Sequence, residues 1–236
     1  MASHGKKRHM KRLARPKSMP ISPKTHTYLK KMSAGPHPKN YSLPLSVYLV
    51  EIAKVAKNMK EVKVLLRDGS ITIDGRKTRD PGFPIGIMDI ISIPILGKYF
   101  RVSISHGKIM FKEIEENASK HKLCKITSKT QLGKDKVQLN LHDGRNVIVT
   151  DGKKYATGGT LSIEIPAQEI KAYLPLSKGS KCFVYKGVHS GQVAALKELT
   201  EREASTATDA TLTGSDGKEF ITRKDYLFVV EENFTN

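Results

Sequence analysis

The chain contains no tryptophan, has only two cysteines and carries no acidic residue before Glu51. With aromatics at 6%, its cores must be built mainly from Ile, Val and Leu, which suits several small β-rich units better than one large core. More than one unit is also expected for 236 residues, since domains run to roughly 100–150 residues. Cys124 and Cys182 lie in no CxxC pair and near no spaced histidine, which excludes a disulfide framework and a zinc motif. Both thiols are expected to be reduced and buried. The histidines, His4, His9, His26 and His37 among them, are scattered without ligand spacing, so no metal and no cofactor is expected. The basic start is followed by no apolar run of signal-peptide length, and there is no apolar span, lipidation motif or membrane-binding amphipathic helix. The expectation is a cytoplasmic chain with no membrane partner. Phosphate-binding glycine loops and a nucleophile elbow are missing as well, which argues against a small-molecule substrate and against catalysis.

What the chain has in excess is positive charge. Lys and Arg number 41 against 23 Asp and Glu, a formal net charge of +18, and a polyanion, nucleic acid first, is the partner such a charge selects. The excess is uneven. Residues 1–40 contribute +11, residues 41–198 another +11, and residues 199–236 contribute −4. RNA contact should therefore be polarised toward the N-terminal half, with the acidic end facing solvent or a basic neighbour. The first forty residues combine Lys6, Lys7, Arg8, Lys11, Arg12, Arg15 and Lys17 with five prolines and no sustained period. That composition reads as an extended arm that orders against RNA, neutralising phosphates as it threads. A solvated tail or localisation signal is the plainer alternative.

Periodicity appears from residue 43. Leu45, Tyr48, Leu49, Ile52, Val55 and Ala56 recur at helical spacing, with Lys54 and Lys57 opposite, predicting an amphipathic helix over 43–57. Asn58 with Glu61 three residues on forms a capping box for a second helix, which Gly69 ends. Residues 70–77 then alternate like a strand up to an Asp-Gly turn, and the apolar run 85–93 supplies its return. Asp-Gly occurs five times, at Asp68, Asp74, Asp143, Asp151 and Asp216, strong punctuation for hairpins. Strands are predicted at 100–104 and 108–111 around His106-Gly107, at 137–141 and 147–149 around Asp143-Gly144, and at 161–165, with a short helical turn within 113–120. The last unit has strands at 182–185, 192–199 and 226–230.

Two patterns carry more than composition does. The helical pair followed by Gly69-Ser70-Ile71-Thr72-Ile73-Asp74-Gly75-Arg76-Lys77 resembles the S-four-type RNA-binding module. That resemblance implies RNA contacts from Lys60, Lys63, Arg67, Arg76, Lys77 and Arg79. Residues 178–196 look like a KOW motif, in which a Lys-Gly turn leads up one strand and across a glycine-bearing loop into the next. Gly187 and Gly191 fit the loop, while Ala194 stands where the pattern has a glycine. In this order, and with Gly35-Pro36-His37, Leu43-Pro44-Leu45, Met88-Asp89-Ile90 and Lys122-Leu123-Cys124-Lys125, nearly the whole chain resembles the archaeal and eukaryotic small-subunit ribosomal protein family S-four-e.

The implied fold class is α+β and multi-domain. It comprises a basic extended N-terminal arm (1–41), an S-four-like αα-β RNA-binding module (42–105), a small antiparallel central β domain (106–174) and a C-terminal KOW/SH3-like β barrel (175–236). The implied role is non-enzymatic: a structural constituent of the small ribosomal subunit, partnered by small-subunit ribosomal RNA and neighbouring ribosomal proteins and not expected to homo-oligomerise. Rival readings are a KOW-containing interaction factor of transcription or translation, and an RNA-modifying enzyme subunit. The latter is opposed because every Asp next to a turn precedes Gly and is accounted for as a turn former. Since the arm should contribute little core, deleting residues 1–40 is expected to weaken RNA binding while leaving the rest folded.

Overall fold

A computed structural model describes residues 9–133, 136–201, 208–214, 216–232 and 234. It is largely β and clusters into two compact units, Met1–Val102 with Lys108–Ser119, and Ser103–Gly107 with Lys120–Asn236.

In the first unit the arm departs from expectation. Its described residues are not a loose tail, because Met10, Met19, Ile21 and Leu29 are buried in the same core as Leu45, Leu49, Val62 and Ile91. Met10–Lys11 pairs antiparallel with Tyr28–Leu29, and Ser18 O accepts from Ile109 N–H at 2.8 Å. No period marks this burial because the anchors are spread along an irregular path, Met10 and Leu29 on the two short strands and Met19 and Ile21 in the turn and extended stretch between them, so neither helical nor strand spacing links them. The prolines fix that path rather than exclude burial. The expectation that the rest stays folded without the arm is accordingly reversed: removing the arm uncovers core.

The predicted helix over 43–57 winds only from Leu45–Val47 into a π-helical turn, Tyr48–Ile52. Before it, Ser42–Pro44 is a strand paired with Pro84–Gly86, which holds Leu43 extended. After it, Lys54 at φ 52° leaves the right-handed helical region and ends the winding. The apolar spacing marked burial correctly, since Leu45, Tyr48, Leu49 and Ala56 all reach the core. The second helix, Met59–Asp68, follows its signals closely. The Asn58 side chain accepts from the backbone N–H groups of Lys60 and Glu61 at 2.9 and 3.1 Å. Glu61 reaches back to Lys57 N–H at 2.7 Å, and Gly69 closes the helix at φ 70°.

A five-stranded sheet follows, ordered Arg76–Lys77, Thr72–Ile73, Ile90–Ile93, Lys98–Ser105, Lys108–Ile114. Asp74 and Gly75 both have positive φ, as do His106 and Gly107, the geometry of a tight two-residue hairpin. Beyond Ile114 the expected helical turn is a single 3-10 turn, Ala118–Lys120.

The second unit contains two five-stranded antiparallel sheets. One runs Asn146–Val149, Val137–Leu141, His121–Gln131, Thr160–Glu164, Ile170–Leu174, and the other Glu219–Arg223, Thr208–Gly214, Val193–Glu201, Lys181–Val184, Leu227–Val229. Both cysteines are buried and free, Cys124 in the core of the first sheet and Cys182 in that of the second. Gly191, at φ 97°, is demanded by packing too: a Cβ there would lie 2.7 Å from Ser105 Cα.

One charged cluster is embedded in this unit. Lys122, with a fully buried side chain, places Nζ 3.0 Å from an Asp143 carboxylate oxygen that also meets Arg145 Nε at 3.1 Å. Burial pushes the Asp143 carboxyl up, but Lys122, His142 and Arg145 together outweigh it and bring it down to about 2. Since the carboxyl is depressed on folding, its contribution of about 2 kcal/mol is present above pH ~4 and is lost as pH falls toward ~2. Acid unfolding followed by circular dichroism should show that component, and the double variant Lys122→Met/Asp143→Leu should lack it. Met19, 1% exposed, tests the arm's part in the core: Met19→Ala should lower unfolding free energy by about 2–5 kcal/mol in a denaturant titration.

Candidate nucleic-acid interface

Several acids of the first unit are taken up by its own hydrogen bonds, while others, Asp68, Glu113, Glu115 and Glu116 among them, face solvent. Glu51 accepts from Arg12, Glu61 from Lys57 N–H, Asp74 from Ile90 N–H, Asp80 from Gly82 N–H, and Asp89 from Gly86 N–H while also meeting the His37 ring. Meanwhile Lys54, Lys57, Lys60, Lys63, Arg67, Arg76, Lys77 and Arg79 are all exposed. At about 100° per residue, Lys60, Lys63 and Arg67 fall within an arc of about 60° on the helix. Val62 and Leu66, on another side of it, are buried. The hairpin residues join this helix directly. A Cβ on Gly69 would meet Lys77 Cδ at 2.9 Å and Nζ at 3.4 Å, so the Lys77 stem lies across the helix C-terminus, where a cation is favoured. The strand Arg76–Lys77 thus continues the basic face of Lys60, Lys63 and Arg67.

The arm residues divide. Lys6, Lys7 and Arg8 lie outside the described residues. Lys11 and Lys17 are exposed, and Arg15 is half-buried with its Nε lacking a hydrogen-bond partner. Arg12 is a correction: its side chain is 2% exposed and its guanidinium grips Glu51 through both terminal nitrogens, with Nε donating to Ser22 O. It is a structural clasp with no donor facing solvent. Composition could not separate it from its neighbours, because its partner lies 39 residues away.

Among the described residues, Cys124, His142 and Asp143 could converge on a cation. The carboxylate there already meets Lys122 and Arg145, so a further cation would sit against two positive charges. Among those residues, too, no helix is long and apolar enough to cross a membrane.

Known proteins match this sequence over nearly its whole length. The small ribosomal subunit protein eS4 of Methanothermobacter thermautotrophicus is 37% identical over 231 residues, covering 98% of this chain and 95% of that protein. The chain belongs to the eS4 family. The profile of the ribosomal family S4e matches residues 96–170, and eS4 of Methanocaldococcus jannaschii is 40% identical over 238 residues, covering 98% of this chain and 96% of the relative. The crystal structure of the 30S ribosomal protein S4e from Thermoplasma acidophilum superposes with a TM-score of 0.67 at 26% identity, covering 82% of this chain and 95% of that one.

If the helix and hairpin face meets phosphates, Lys63→Gln/Arg67→Gln should flatten the log–log salt dependence of RNA affinity by about 1 for each phosphate released. Arg12→Gln should instead lower thermal stability with the slope unchanged. Filter binding and thermal melts distinguish the two.

Proposed function

We propose that this chain is a structural constituent of the small ribosomal subunit, binding ribosomal RNA and supporting subunit assembly without catalysis. The observation that carries this reading is identity with eS4 proteins over nearly the full length of both partners, and the outward basic face supports it physically. In this reading Lys60, Lys63, Arg67, Arg76, Lys77 and Arg79, with Lys11, Arg15 and Lys17 of the arm and the terminal Lys6, Lys7 and Arg8, lie along phosphates.

The same reading divides the chain functionally into the arm (1–41), an S-four-like module (42–105), a central β domain (106–174) and a KOW-type, SH3-like barrel (175–236). Support for the module comes from the capped helix Met59–Asp68 and the Asp74-Gly75 hairpin beside it. For the KOW unit it comes from Gly179, Gly187 and Gly191, all at positive φ around the strand Lys181–Val184. The protein acts as a single copy, in the cytoplasmic ribosome, with neither cofactor nor membrane partner.

Sedimentation is the direct test. The full chain should travel with small subunits through a gradient and be released as salt rises. Affinity for small-subunit RNA should fall steeply on a log–log plot, by about 0.7–0.9 per neutralised phosphate. A flat salt dependence, or migration apart from the subunit at low salt, overturns the proposal.

A further inference from the structure

The C-terminal 38 residues have a net charge of −4, which on composition alone places them away from RNA. The fold cuts across that average. In the second unit a cavity of about 330 Å³ is lined by Lys125, Thr127, Tyr185, Lys224 and Asp225 among others, drawn from strands and turns up to a hundred residues apart. Lys125 is anchored rather than loose: its Nζ donates to Asp225 O at 2.8 Å and to Lys224 O at 3.4 Å. An ammonium has three donors, so these carbonyls do not exhaust it. The same Nζ lies 5.7 Å from the centre of the Tyr185 ring, and Lys186 Nζ lies 5.1 Å from that centre. Gly158, at φ 90°, gives the Lys224 stem room to lie along the wall, since a Cβ there would stand 3.2 Å from its Cε. Lys125, Lys224 and Asp225 thus line a single opening, and Lys186, outside its lining, holds a further ammonium against the ring of Tyr185 that does line it.

We infer that this cavity is a second RNA contact, receiving one unstacked nucleotide whose phosphodiester meets Lys125, Lys186 and Lys224. The inference rests on the ribosomal-RNA reading above and extends it to a part of the chain that net charge had set aside. The volume lies within the 300–1,000 Å³ range of small-ligand sites, and is too confined for a duplex groove. A single unstacked residue is the form in which folded RNA presents itself to pockets. Thr127 and Asp225 add polar groups that can meet a ribose hydroxyl or a base edge. Burial brings the Lys125 ammonium down to about 8, with Asp225 opposing that fall and Lys186 and Lys224 adding to it. Near neutral pH it remains mostly charged, and an incoming phosphate favours that form.

Ultraviolet crosslinking of intact small subunits containing the full chain, followed by mass spectrometry of nucleotide-bearing peptides, tests this directly. Adducts are expected within 125–127, 185–186 or 224–225. Adducts confined to the helix 59–68 and the hairpin 72–77 overturn the cavity contact and leave the general RNA reading standing. RNA adducts nowhere on the chain overturn both. A crosslink from the cavity residues to an acidic segment of another protein also overturns the inference. In a second measurement, Lys186→Gln/Lys224→Gln should melt as the unaltered protein does and bind small-subunit RNA with a salt slope shallower by about 2. An unchanged slope in a folded variant refutes the contact.

Discussion

The placement of the arm in the first unit turns on one clasp, the buried guanidinium of Arg12 locked on the half-buried carboxylate of Glu51. A segment bearing +11 with no acid of its own repels itself and gains little by collapsing. It becomes part of a core only if carboxylates elsewhere in the chain accept its buried donors. Glu51, the first acid in the sequence, does so for Arg12, and Asp89 receives the His37 ring at 2.9 Å in a fully buried contact. With those two points fixed, Met10, Met19, Ile21 and Leu29 are brought onto the helix and sheet. Breaking a buried charged pair by removing one member is costly, so the clasp constrains the arm more firmly than its apolar contacts alone.

The same placement of acids shapes the surface. Carboxylates that cap a helix, close a turn or hold the arm are engaged by donors of the unit itself, while the lysines around them stay in water. The basic face is therefore produced as much by where the acids go as by where the lysines are. In the second unit the rule is inverted at Asp143, where the cations come in to the acid and Lys122 is wholly buried with it.

What the sequence made legible was whatever rests on local chemistry. Asn58, Glu61 and Gly69 delimit a helix through contacts four residues long at most, and Asp74-Gly75 and His106-Gly107 are turns because of their own backbone preferences. The basic character of 60, 63, 67, 76 and 77 was readable for the same reason. The arm's burial was not, because its stabilising partners, Glu51, Asp89 and Ile109, lie between 39 and 91 residues away. The strand Thr208–Gly214 leaves little mark on the sequence because only Ala210 and Leu212 hold its buried positions, and Ile170–Leu174 leaves little because none of its residues is fully buried. The longest strand, His121–Gln131, is mostly lysine, threonine, serine and glutamine, and its interior position comes from its two neighbours rather than from its own hydrophobicity. The cavity around Lys125 was hidden most completely, since it joins a lysine of the central sheet to one in the acidic tail.

The bond from Ile109 N–H to Ser18 O has a bearing on how the chain is made. Synthesis proceeds from the N-terminus at about 5–20 residues per second, so the arm emerges long before the strand that receives it. For roughly 5–20 s the growing polypeptide exposes a strongly cationic leader whose core is not yet translated. During that interval nearby nucleic acid competes with Glu51 and Asp89 for the arm, and folding is complete only when the later carboxylates and strands arrive to take it.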